Sequence, residues 1–258
     1  MSVSLFQKIK IVLDSRKIIK NWYLYPAVYF GFFRKEYVVF ETRTDIKIKL
    51  RVHSTDLMAF TNVWLVGDYA KSGFEIDDND TIIDVGAHIG LFALYAFQYC
   101  KKGRIYCFEP VRENYELLLT NLQMNNVKNV FPFQTAISGK RSSSVIYLSQ
   151  DESGHSMYIP SSKKLEIKTT TLKDIIDENS INRCDLIKID CEGAEYDIIE
   201  SLPEVYFKKI RKIVMEYHFA NSKPALIKNL IDKMRSLSYL IDVRKLTKEM
   251  GLLFAKHE

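Results

Sequence analysis

Four cysteines in 258 residues leave little material for a metal or disulfide framework. They are Cys100, Cys107, Cys184 and Cys191, with no C-x-x-C pair and no histidine at ligand spacing. This argues against zinc and for reduced, buried thiols in a reducing, cytoplasmic compartment. No apolar run approaches the roughly 20 residues of a bilayer span. The nearest, "NWYLYPAVYFGFF" over residues 21–33, is interrupted by Pro26 and Gly31. Ser2 to Lys20 lacks the continuous apolar core of a signal peptide, so no leader is expected. The net charge of +5 is spread along the chain, which argues against nucleic acid as a partner. There is no internal repeat, and the ten glycines contain no G-x-G-x-x-G.

What is present is an ordered alternation. Lys8 to Lys20 reads as a helix. Ile46, Ile48, Leu50 and Val52 alternate with Lys47, Lys49 and Arg51, a strand with one wet face in a hairpin. "TDLMAF" starts a helix. The aromatic stretch 21–33 lies between Lys17, Lys20, Arg34 and Lys35, so it either packs on the main domain or rests on a membrane surface. From Thr81 onward, strands "TIIDV", "GRIYCFE", "NVFPFQTAI", "CDLIKID" and "IRKIVMEYH" are separated by helical patterns. "SSSVIYLS" and "LEIKTTTL" add two strands, and "YLIDV" and "GLLFAKHE" close the chain. Strands and helices in this order predict a mostly parallel sheet covered on both faces. Ligands of such sheets bind beyond the carboxyl ends of the strands. Asp84, Glu109, Gln134, Asp190 and Glu216 stand there, and four of these five are acidic.

The first loop, "DVGAHIG", spaces Gly86 and Gly90 four apart, which disfavours a nicotinamide-dependent oxidoreductase. Asp84 would repel a pyrophosphate, so a cationic or zwitterionic ligand fits better. Glu109 ends the second strand and offers paired acceptor oxygens to a ribose diol. Lys188, Asp190, Glu192 and Glu195 crowd the turn "KIDCEGAE". Close carboxylates raise one another's pKa, making Asp190 or Glu192 a base for a substrate hydroxyl. The alternative is that Glu192 and Glu195 only favour a helix N-terminus. No metal is assigned, although Asp190, Glu192 and Glu216 could hold a divalent ion. His218 should neighbour Asp190, because consecutive parallel strands usually lie side by side, and the two form a candidate base pair.

Together "IIDVGAHIGLFALYA", "IYCFEPVRENYELLLTNLQMNN", "TTTLKDII", "LIKIDCEGAEYDIIESL" and "IVMEYH" resemble the FkbM family of S-adenosylmethionine-dependent methyltransferases. The resemblance covers Tyr69 to about the C-terminus. It implies a Rossmann-like class I methyltransferase domain with a seven-stranded sheet over residues 76–258, preceded by a helical and hairpin extension over 1–75. It implies S-adenosylmethionine held by Asp84, Gly86, His88, Gly90, Glu109, Gln134 and Ala136, with the last two bordering the adenine. It also implies catalysis by Asp190, Glu192 and His218, and a substrate loop containing His155. The family usually has Asn at His88 and Asp at Lys173. His88 therefore reads as a loop-shaping or cofactor-lining residue, with a general base as the lesser alternative. The implied reaction is O-methylation of a glycan, glycolipid or natural product. A nucleic-acid methyltransferase and a non-catalytic cofactor-binding module are the rivals; an amino-methylating N-P-P-Y-like motif is absent where "DCEG" stands.

Overall fold

The computed structural model describes residues 5–148, 156–157 and 161–257. Helices α1 (Leu5–Ile18) and α2 (Leu24–Tyr29) lead into an antiparallel hairpin, β1 (Tyr37–Glu41) and β2 (Lys47–Arg51). Helix α3 (Asp56–Phe60) follows and widens into a π-helical stretch over Thr61–Val66. Strands and helices then alternate as β3 (Thr81–Val85), α4 (Leu91–Phe97), β4 (Arg104–Phe108), α5 (Arg112–Met124) and β5 (Val130–Phe133). Three strands come next, β6 (Ala136–Ile137), β7 (Ser142–Leu148) and β8 (Lys163–Thr170). The chain continues with α6 (Leu172–Glu178), β9 (Leu186–Ile189), α7 (Glu195–Ser201), α8 (Glu204–Phe207) and β10 (Lys212–Tyr217). It closes with α9 (Pro224–Ser236), β11 (Tyr239–Lys245) and β12 (Gly251–His257).

Seven strands form the main sheet in the order β11-β12-β10-β9-β3-β4-β5. From β10 to β5 all neighbours are parallel, while β12 runs antiparallel to both β10 and β11. This is the mostly parallel, Rossmann-like sheet that the alternation predicts. The period of two decides its two cores. Ile82, Ile105, Cys107, Leu186 and Val214 face one side, with α4 and α5. Ile83, Tyr106, Phe108, Ile187 and Met215 face the other, with α6, α7 and α9.

One local expectation changes, and one element is new. "NVFPFQTAI" is not one strand: β5 pairs with β4, and then the chain turns at Thr135, whose N–H bonds back to Phe133 O at 3.0 Å. The next residues, β6, pair with β8 in a separate three-stranded sheet, β6-β8-β7. The four-residue α8, entered through Pro203, is too short to show a helical period.

The extension shares its core with the main sheet. Ile19, Tyr25, Phe40, Leu50, Phe60 and Trp64 lie in the same cluster as Ile82, Ile89 and Leu94. Its hairpin edge is covered by side chains of α5. Lys49 N–H donates to Asn121 Oδ1 at 2.8 Å, and Lys47 N–H donates to Asn125 Oδ1 at 2.7 Å. The Asn121 and Asn125 amides return hydrogen bonds to the Lys49 and Lys47 carbonyls. Two asparagines one helical turn apart thus stand in for a neighbouring strand. The aromatic stretch divides in two: Tyr25 and Val28 are buried, whereas Tyr23, Phe30 and Phe32 are 62%, 59% and 74% exposed. Among the described residues no helix is long and apolar enough to cross a membrane.

Candidate active site

One cavity opens beyond the carboxyl ends of β3, β4, β9 and β10. Gly86, Ala87 and His88 line it after β3, Phe108 and Glu109 at β4, Asp190, Cys191 and Glu192 after β9, and Glu216 on β10. Ala136 and Ile137 of the small sheet form an apolar flank. Met58, Asn62, Asp68 and Tyr69 of the extension make another wall, which the sequence reading did not foresee.

Glu109 is buried and held by backbone donors. Its Oε2 accepts the His88 N–H and its Oε1 accepts the Val111 N–H, each at 2.9 Å. A carboxylate has about four acceptor positions in all, and with the Asn114 amide as a third donor about one remains for a ligand. Burial pushes the Glu109 carboxyl up to about 7, against the pull of these backbone bonds and of Asn114. Asn114 in turn accepts from Arg51 Nη2 at 2.8 Å, connecting the carboxylate to the hairpin of the extension.

His88 adopts the left-handed region at φ 50°. Histidine and asparagine both tolerate that conformation better than most side chains. Its Nε2 lies 3.2 Å from Arg51 Nη2 and 3.4 Å from Asp56 Oδ1. Asp56 is fully buried and takes a two-pronged contact from Arg51, at 3.0 Å from Nε and 2.8 Å from Nη2. His88 therefore shapes the loop through its backbone and joins the extension through its ring.

The glycines answer to packing as well as to the cavity. A Cβ on Gly86, at φ +75°, would stand 1.8 Å from the Asp190 carbonyl oxygen. On Gly90 it would meet the Leu118 side chain at 3.2 Å, and Gly90 is not on the cavity wall. Two further expected cofactor contacts are also off that wall. Gln134 is exposed at the turn between β5 and β6. Asp84 is fully buried inside β3, opposite Lys188 in register, with Oδ1 3.2 Å from the ammonium. Its charge serves Lys188 and not the cavity. Lys188 Nζ also donates to Gly86 O at 2.7 Å and Val85 O at 3.3 Å. Burial pulls the Lys188 ammonium down, but Asp84 and Asp190 outweigh it and hold it above its usual value.

Across the cavity the turn after β9 is tight. Glu192 is left-handed at φ 53° and Gly193 follows at φ 112°. A non-glycine residue there costs on the order of 1–3 kcal/mol, which the surrounding bonds must offset. Asp190 Oδ2 accepts the Tyr69 hydroxyl at 2.8 Å. His218, directly after β10, stands among carboxylates: Nδ1 is 3.0 Å from Glu195 Oε1, and Nε2 is 3.4 Å from Glu192 and 3.6 Å from Glu216. The expected grouping of Asp190, Glu192 and His218 is thus present. Their polar atoms lie within 4.8 Å of one another. Burial raises Glu192 to about 7 and Glu216 to about 8. Burial pulls the His218 imidazolium down, yet Glu195 and the other carboxylates hold it at about 10.

Glu195, placed in the crowded turn with a helix N-terminus as the alternative, is the carboxylate behind His218, a partnership not expected from the sequence. It is fully buried, its Oε1 accepts the His218 backbone N–H at 2.8 Å, and its Oε2 accepts the Gly193 N–H at 2.8 Å. Its setting between Ala194 and Tyr196, both buried, was the available signal. Tyr69 had no signal, because nothing local links it to a residue 121 positions away. His155 lies outside the described residues.

The family described as the methyltransferase FkbM domain matches residues 84–241. The methyltransferase sdnD of Sordaria araneosa is 25% identical over 182 residues, covering 58% of this chain and 70% of that protein. The 31-O-demethyl-FK506 methyltransferase FkbM of Streptomyces tacrolimicus is 24% identical over 181 residues, covering 58% of this chain and 70% of that protein. The hexuronic acid methyltransferase AglP of Haloferax volcanii is 18% identical over 184 residues, covering 71% of this chain and 73% of that protein.

Proposed function

The chain belongs to the FkbM methyltransferase family, and on that premise we propose that it methylates a hydroxyl of a carbohydrate-like acceptor, a glycan, glycolipid or natural product. S-adenosylmethionine is the methyl donor of the family, and its sulfonium supplies an already activated methyl group. The residues present fit that cofactor. Glu109 lines the cavity with acceptor capacity left beyond its three protein donors, and Phe108, Ala136 and Ile137 offer an apolar wall beside it. The acidic cluster opposite suits a cationic group.

The observation that carries the proposal is a single cavity running from Glu109 to Asp190, Glu192 and Glu216. A carboxylate suited to a diol stands at one end and carboxylates suited to accept a proton at the other. Methyl transfer needs an oxygen held in line with the methyl group, and such orientation is worth roughly 7–11 kcal/mol. A base adds roughly 10²- to 10⁴-fold. Glu192, raised to about 7, is suited to take a hydroxyl proton near neutrality. The His218 ring stands 3.4 Å from Glu192, and Tyr69 orients Asp190. Two relatives support the acceptor class: one is named for a hexuronic acid, the other for an O-demethyl natural product.

Calorimetry with S-adenosylmethionine, followed by methyl-labelled cofactor incubated with fractionated glycans and lipids, tests this reading. Saturable binding lost in Glu109→Ala, and label in methyl ethers, are expected. Binding indifferent to Glu109→Ala, or label on nitrogen or carbon, would overturn it.

A further inference from the structure

The unused donor in this region is His218 Nε2. The side chain is only 9% exposed, and Nε2 is buried without a hydrogen-bond partner. It points toward Glu192 at 3.4 Å and Glu216 at 3.6 Å. Both gaps exceed the usual N–H···O range. Nε2 thus faces two carboxylates without a hydrogen bond to either. The other ring nitrogen faces Glu195 Oε1 at 3.0 Å, and the same oxygen fixes the His218 backbone N–H at 2.8 Å. A carboxylate behind one imidazole nitrogen, with the other left bare, is the arrangement that presents histidine to a metal.

From this geometry we propose that Asp190, Glu192 and His218 form a binding site for a divalent cation of the Mn²⁺ or Mg²⁺ type. Their ligand atoms lie within 4.8 Å of one another, and the first two line the cavity. Two carboxylates and one imidazole, without thiolate, suit Mn²⁺ or Mg²⁺ better than zinc. The left-handed turn at Glu192 brings its carboxylate to face His218. Glu216 stands beside the trio as a further acidic neighbour. The local charge favours a cation: Asp84, Asp190, Glu192, Glu195 and Glu216 crowd Lys188 and the His218 ring, and an ion bound at Nε2 takes the place of the ring proton. Three protein ligands leave roughly three positions of an octahedral ion open. Asp190 and Glu192 line the cavity, so a vicinal diol of a sugar-like acceptor there could displace water from an ion they hold. That last role rests on the O-methyltransferase reading; the site itself does not.

The test uses the full chain, freed of metal by chelation, and Mn²⁺ as probe. Loss of the free Mn²⁺ electron paramagnetic resonance signal reports binding directly. One ion per chain is expected, displaced by excess Mg²⁺, with the Kd raised at least tenfold in both Glu192→Gln and His218→Ala. Glu192 is partly exposed on a turn, so Glu192→Gln keeps the test valid if His218→Ala fails to fold. No saturable binding up to millimolar Mn²⁺, or binding unchanged in Glu192→Gln, would overturn the site. S-adenosylmethionine affinity is measured in the same samples. Cofactor binding without Mn²⁺ binding removes the metal site and leaves the methyltransferase reading standing. Mn²⁺ binding with no O-methyl product removes the acceptor reading and leaves the site.

Discussion

Glu195 grips His218 through one oxygen: Oε1 accepts the backbone N–H at 2.8 Å and stands 3.0 Å from Nδ1. Its second oxygen ties down Gly193 at 2.8 Å, so one buried carboxylate fixes both the acid turn and the histidine. In Glu195→Gln one of these three donors must meet an amide N–H. The loss is expected to cost on the order of 1–3 kcal/mol in chemical denaturation. The His218 imidazole, held at about 10 in the parent chain, should titrate lower in the variant by NMR. An unchanged titration would show that Glu195 does not set the ring's charge.

Glu109 predicts a pH dependence of opposite sign for stability and for cofactor binding. Its folded pKa of about 7 lies above the ordinary carboxyl value. Its contribution to the ligand-free protein is therefore complete below the unfolded pKa and is lost as pH rises through about 7. The ribose diol donates to the ionised form, so S-adenosylmethionine should bind more tightly across the same window. Calorimetry from pH 6 to 8 checks this, and Glu109→Gln should flatten the response attributable to this group.

Asp56 and Arg51 link the extension to the cofactor loop. Asp56→Ala strips the two-pronged partner from Arg51 and removes the Asp56 carboxylate from beside the His88 ring. Breaking a buried pair costs about 3–5 kcal/mol. A clear fall in melting temperature is expected, together with weaker S-adenosylmethionine binding, although Asp56 is not on the cavity wall.

Gly86→Ala should be more damaging than its size suggests. The added carbon would stand 1.8 Å from Asp190 O, and the backbone φ is +75°. Either the cofactor loop or the acid turn must move. S-adenosylmethionine and Mn²⁺ titrations should both weaken in the folded fraction.

Phe30 and Phe32, 59% and 74% exposed, are followed by Arg34 and Lys35. A surface of exposed rings and basic side chains suits an anionic bilayer. Cosedimentation with vesicles containing phosphatidylserine should exceed that with neutral vesicles, and Phe30→Ser/Phe32→Ser should abolish the difference. Equal binding to both vesicle types would count against this contact.

The sheet was legible because its strands are apolar runs separated by helical periods, and period two decides which residues face each core. Glu109, Asp190, Glu192 and His218 were legible because strand ends concentrate charge where ligands bind. Asp84 sits one residue from the loop in sequence, and its place beside Lys188 in β3 carries no local pattern. The partition of "NVFPFQTAI" depends on which strand each half can pair with, a long-range matter. Tyr69 with Asp190, and Arg51 with Asn114 and His88, act across chain separations that carry no local pattern. The second sheet, β6-β8-β7, likewise had legible strands and an illegible partnership.

Lys188 reaches across from β9 to the carbonyls that end β3, with hydrogen bonds of 2.7 Å and 3.3 Å. The loop beside Glu109 and the turn bearing Asp190 and Glu192 thus hang from adjacent strands, roughly 4.8 Å apart, that are pinned where they diverge. The reach between the cavity's two ends is a property of sheet spacing, and loop sequence has little power to stretch it. Divergence in what the cavity admits must then come from its outer walls: α3, the small sheet, and the hairpin carrying Met250. Exchanging those walls while keeping Lys188 would retune selectivity without resetting the gauge of the chemistry.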